Sequence, residues 1–93
     1  MKRVLTISDR DNVAVALEPL EAGSIVDAGG AAVAVREAVP AGHKIALTTI
    51  KPGEPVIKYG SPIGLATVEI AEGHHVHVHN VASTRGRGDL TSR

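Results

Sequence analysis

Ninety-three residues carry ten basic and ten acidic side chains, a formal net charge of zero and no cysteine. One short domain fits that length. The charge balance leaves no basic excess for a nucleic-acid backbone, and the missing thiols exclude disulfide staples and thiolate metal sites.

Thirteen alanines and twelve valines dominate the apolar residues, and Tyr59 is the only aromatic. The core is therefore built from small pieces without the aromatic anchors that usually dominate a small domain. Cover from another protein would stabilise such a chain, and a net charge near zero favours self-association. After Met1-Lys2-Arg3 the chain turns polar by Thr6 and Ser8, unlike a signal peptide, and no apolar run reaches membrane-span length. The expectation is a cytoplasmic protein without membrane contact.

Arg3 to Ile7 reads as a first strand. In Asn12 to Leu17, Val13, Val15 and Leu17 alternate with Ala14 and Ala16, which favours a strand. Asp11 as an N-cap would also suit a short helix over Asn12 to Leu20. From here a pattern recurs four times: a branched aliphatic, two residues, Gly, two residues, a branched aliphatic. The copies run from Leu20 through Gly23 to Val26, Val39 through Gly42 to Ile45, Ile50 through Gly53 to Val56, and Ile70 through Gly73 to Val76. Glycine in a tight turn supplies positive φ without steric cost, so each copy predicts a chain reversal clamped by two aliphatics. Between and after them, Ala31 to Arg36, Lys44 to Leu47, Val56 to Tyr59, Ile63 to Val68 and His75 to Val81 read as strands. Seven short strands and no convincing helix predict an all-β, compact barrel-like or sandwich-like domain over residues 1–82. Residues 83–93, with three arginines and little that is apolar, are expected to form a flexible basic tail.

Four of the five histidines fall between Gly73 and Asn80. On a continuous strand, His75, His77 and His79 share one face, while Val76 and Val78 enter the core. His75 and His79 would then stand ~13 Å apart, too far for all three to share one ion. Exposed or interface histidines, carboxylate binding, and metal ligation completed from elsewhere all remain open, and no metal ligand is assigned. His43 follows its turn glycine as His74 follows Gly73. Lys44, Lys58 and Tyr59 suit an anionic, hydroxyl-rich ligand, or the lysines are solvated charges on strand edges. Asp11-Asn12 reads as a turn or cap. No complete catalytic set is visible.

Taken together, Asp11 to Leu17, Pro40 to Leu47, Gly53 to Gly64 and Gly73 to Asn80 resemble the SAF domain of the altronate and galactarate dehydratase family. The resemblance implies a β-clip fold and a carbon–oxygen lyase (hydro-lyase) acting on an anionic hydroxy acid. It implies a large dehydratase-like partner subunit that mainly holds a divalent metal, iron or manganese. The chain ends where that large domain would begin, so a split enzyme is expected, organised like sulfolactate sulfo-lyase, whose small subunit is similar. Only His77, His79 and Asn80 map onto the family's Val-His-x-His-Asn ending; His74 and His75 are extras. On this footing His77 and His79 are the candidate catalytic residues, with His43, Lys44, Lys58 and Asn80 as candidate substrate contacts. A sulfo-lyase small subunit and a free-standing ligand-binding module are the alternatives.

Overall fold

A computed structural model describes residues 3–83. The expected tail lies outside the described residues beyond Ser83. Nine strands follow in order: β1 (Val4–Leu5), β2 (Val13–Ala16), β3 (Ile25–Ala28), β4 (Ala31–Ala34), β5 (Lys44–Ala46), β6 (Pro55–Lys58), β7 (Ser61–Ala66), β8 (His75–Val76) and β9 (Val81–Ser83). The described residues contain no helix, and none long and apolar enough to cross a membrane. The fold is all-β, as the alternation predicts, and within Asn12 to Leu17 the chain forms a strand, Val13–Ala16, rather than a helix.

All strand pairings are antiparallel. A four-stranded sheet runs β1-β2-β5-β8, flanked by the β3–β4 hairpin and a β6-β7-β9 sheet. The four glycine turns organise this arrangement. Gly23, Gly42, Gly53 and Gly73 all have φ between 85° and 94°. In each copy the residue after the glycine donates its N–H to the carbonyl three residues back: Ser24 to Glu21, His43 to Pro40, Glu54 to Lys51, His74 to Ala71. Glycine at the third place of such a turn takes the conformation that L-residues avoid. The leading aliphatics then pair across the molecule, Leu20 with Val39 and Ile50 with Ile70.

Two cores result. One gathers Leu20, Val26, Val39 and Ile45 with Val33 and Val35. The other gathers Ile50, Val56, Ile70 and Val76 with Val13 and Ala46. Strands β2 and β5 stand between them. Ala14 and Ala16 face the first core while Val13 faces the second, and Ile45 and Ala46 divide likewise. A sheet covered on both faces leaves little depth for side chains, which explains the alanine and valine content at the centre.

The hairpin turns also match. Gly29 and Gly30 link β3 to β4 with positive φ, and Tyr59 (φ 55°) and Gly60 (φ 79°) link β6 to β7. Two positive-φ residues are what a two-residue hairpin loop needs. Tyr59 is held there by Asp11, whose Oδ1 accepts the Gly60 N–H at 2.7 Å while Oδ2 accepts those of Ile7 and Ser8 at 3.1 and 3.2 Å. Asn12 continues the clamp: its Oδ1 accepts the Ile57 N–H at 2.7 Å and its Nδ2 donates to the Pro55 carbonyl at 2.9 Å. The Asp11-Asn12 pair is thus a long-range clamp as well as a turn.

Three expectations need correction. Ile25 to Ala28 forms a strand, β3, although its residues show no clean alternation to predict one. The expected strand from His75 to Val81 stops at Val76, turns, and resumes as β9. Val78, expected in the core, is 80% exposed at that turn, whereas Val76 is fully buried.

The glycines separate two costs. A Cβ on Gly53 meets open space, but one on Gly73 would stand 2.1 Å from the Ala34 carbonyl oxygen. Gly53→Ala should lose about 1–2 kcal/mol for the backbone conformation alone, and Gly73→Ala about 3 kcal/mol or more once overpacking is added. Urea unfolding of both variants measures this, and equal losses would contradict the packing.

For Asp11, burial disfavours the charge, but backbone N–H groups of Gly60, Ile7, Ser8 and Tyr59 outweigh it and hold the carboxyl below its ordinary range. Its stabilisation is therefore present above about pH 4 and lost as pH falls through the depressed folded value. Asp11→Ala should cost about 1 kcal/mol at neutral pH and converge on the wild type in acid. A stability difference that does not change with pH would rule out the carboxylate as the cause.

Candidate functional site

The histidines meet at β8, the edge strand of the four-stranded sheet. Strands β5 and β8 pair Lys44 with Val76 and Ile45 with His75. Continuing that register by one residue sets His43 opposite His77. Their rings accordingly stack with centroids 3.6 Å apart and planes 11° from parallel. His75, two residues from His77, shares that face, and its Nε2 lies 2.8 Å from His43 Nδ1.

Asn80 makes the turn that completes the group. It is 7% exposed; its Oδ1 accepts the His77 N–H at 3.0 Å and its Nδ2 donates to the His75 carbonyl at 2.9 Å. The turn folds His79 back until its ring centroid is 4.9 Å from that of His75. The ~13 Å separation expected on a straight strand does not occur. Both ends of the Asn80 amide, expected at a substrate, are engaged by this backbone, so Asn80 positions the histidines.

Burial draws the His75 imidazole below its ordinary pKa, reinforced by His79 and His43, while Glu37 opposes the shift. Burial also lowers His77, with His43, Lys44 and His79 adding to it. Both rings are therefore held neutral at physiological pH, with lone pairs available as acceptors or ligands. Lys44 is lowered by burial and then by repulsion from Lys58, which places the two cations near each other. Lys58 Nζ stands 5.0 Å from the Tyr59 ring centroid. Lys44 and His77 line an open cavity of about 160 Å³ together with Ile63, Val78, Val81 and Ser83.

Glu37, which no sequence motif marks, joins the site. Its Oε2 lies 3.0 Å from His74 Nδ1 and accepts the His75 N–H at 3.1 Å. Nothing in its local sequence links it to residues 37 and 38 positions away. His74 is thereby engaged outside the ring cluster, while the other extra histidine, His75, lies at its centre. For a divalent metal the fitting group is His43, His75 and His77, whose ligand nitrogens lie within 4.8 Å of one another. The Nδ1 of His77 is buried without a hydrogen-bond partner. The structure thus brings together His43, His77, His79 and Lys44, with Lys58 close to Lys44 and Asn80 beneath them.

Comparison with known proteins places these segments in a family. The chain is 42% identical over 80 residues to altronate dehydratase of Bacillus subtilis, a match covering 86% of this chain and 16% of that protein. It is 54% identical over 70 residues to altronate dehydratase of Escherichia coli, covering 75% and 14% respectively. To (2R)-sulfolactate sulfo-lyase subunit alpha of Chromohalobacter salexigens it is 47% identical over 51 residues, covering 55% of this chain and 54% of that subunit. The chain spans a small part of the two dehydratases and about half of the sulfo-lyase subunit. The family profile itself runs across both cores, the clamp and the histidine turn, matching residues 2–84. With an all-β fold carrying those same segments, the chain belongs to the altronate/galactarate dehydratase SAF domain family.

Proposed function

We propose that this chain is the small, substrate-binding subunit of a cytoplasmic lyase that eliminates water from an anionic hydroxy acid beside a large dehydratase-like subunit. The observation that carries this reading is the gathering of four imidazoles and Lys44 at one sheet edge. Its relatives named as dehydratases and as a sulfo-lyase subunit support the reaction class, and the subunit name supports a divided enzyme.

Such an elimination removes the proton next to the carboxylate, turns that electron pair into a C=C bond, and expels the β-hydroxyl as water once it is protonated. Lys44, with Lys58 near it, supplies positive charge for the substrate carboxylate. His77 presents a neutral imidazole beside Lys44, in the form that accepts a proton. His79, exposed next to His75, is the imidazole available to protonate the leaving oxygen. A divalent metal of the iron or manganese kind, held mainly by the partner, would supply charge to the enediolate; on this chain His43, His75 and His77 have the donor chemistry to hold one.

A second reading takes sulfite as the leaving group. The chain covers 54% and 70% of two sulfolactate sulfo-lyase alpha subunits, far more than of either dehydratase.

Co-expression with a large dehydratase-like chain, followed by turnover assays on sugar acids and on sulfolactate, tests both readings. Activity is expected only in the complex. His77→Ala and His79→Ala should each lower kcat/KM by about 10²- to 10⁴-fold while leaving the circular dichroism spectrum unchanged, since neither ring supports the core. Wild-type values for both variants would remove the histidines from the reaction. Released sulfite would select the second reading, and binding without turnover in the complex would make the chain a ligand-binding module.

A further inference from the structure

We propose that His43, His75 and His77 form a binding site of this chain's own for one first-row divalent cation of the zinc or iron class. The inference goes beyond the lyase reading and does not rest on it. Three separate places in the fold supply the ligands: the glycine turn before β5, the first residue of β8, and the bend that follows it. Their ligand nitrogens lie within 4.8 Å of one another.

A tetrahedral ion with metal–nitrogen bonds of about 2.05 Å sets ligand nitrogens about 3.3 Å apart. The His43 Nδ1 to His75 Nε2 separation of 2.8 Å needs to open slightly, and the wider separations need to close. The rings now lie stacked, within 18° of parallel, so in-plane lone pairs do not yet converge. Rotation about the soft terminal torsion of each histidine turns the nitrogens inward. The Asn80 amide fixes the backbone that carries His75 and His77. That is the supporting role that outer hydrogen bonds play around metal ligands.

Two features favour an ion over a purely hydrogen-bonded stack. The buried Nδ1 of His77 has no partner, and buried polar atoms rarely remain so. Three imidazoles and no carboxylate also make a donor set suited to zinc or iron and unsuited to magnesium or calcium. With three protein ligands, the remaining position is open to water or an anionic oxygen. His79 is exposed and its ring lies tilted against His75 outside the set, and His74 is engaged by Glu37.

The full chain, stripped with a chelator and titrated with Zn²⁺ and Co²⁺, tests the site. Calorimetry should show one saturable site per chain, and bound Co²⁺ should develop the strong visible bands of low coordination number. Single replacements His43→Ala, His75→Ala and His77→Ala should each weaken Zn²⁺ binding by at least about 10-fold. His77→Gln guards against loss of fold at that partly buried position, with circular dichroism checked for every variant. His74→Ala and His79→Ala should bind as the wild type does. Absence of saturable binding in the folded wild type overturns the proposal. So does undiminished affinity in folded His43→Ala or His77→Gln, or a loss in His79→Ala equal to theirs.

Discussion

Backbone pairing of Leu20 with Val39 and of Ile50 with Ile70 joins the four glycine turns two by two, and the rest of the molecule is arranged around those joints. Each pairing brings two leading aliphatics to the floor of a core, and the closing aliphatics Val26, Ile45, Val56 and Val76 complete it. The pairing is possible only because each turn reverses the chain within four residues, which in turn requires positive φ at the glycine. Strands β2 and β5 can then serve both cores at once. Their alanines result from that shared position, since a large side chain between two cores has nowhere to go.

Much of this was legible because turn chemistry is local. A glycine three residues after a branched aliphatic states its geometry within a few residues, and all four such positions adopt it. The clamp on Tyr59 was not legible, because Asp11 acts on Gly60 across 49 residues and a carboxylate before an asparagine reads first as a turn. The histidine segment misled for a physical reason. Val-His-Val-His alternation is the period of a strand, yet Asn80 binds the backbone of His75 and His77 with its side chain and pulls the segment into a turn. Asparagine competes with the sheet ladder in this way wherever its amide can reach nearby backbone groups. The same turn explains why His75, outside the family's ending, sits among the residues that belong to it.

The electrostatics follow from placing four imidazoles and a lysine at one edge. Each protonated ring would raise the cost of protonating the next, and burial adds to that for His75 and His77. The rings of His75 and His77 are thus kept neutral, and the positive charge at this edge comes from the lysine side chains. An anionic ligand meets cations that attract it and imidazoles that still have lone pairs to offer. Protonated rings would attract the same anion but accept no proton and ligate no metal.

Proton transfer and metal ligation draw on the same lone pairs, so the cluster cannot devote one nitrogen to both. His77 Nδ1 is buried and unpartnered, which suits a ligand better than a base that must reach substrate. His79 is exposed, lies outside the set of three, and touches it only through His75. With an ion in place, His77 serves to hold it and the imidazole left free for a proton is His79. Without the ion, His77 beside Lys44 recovers its lone pair and both rings compete for that task. The division of labour between two histidines one turn apart is thus set by whether the cation is bound, and the Asn80 amide that fixes the turn keeps both rings within reach of the same ligand.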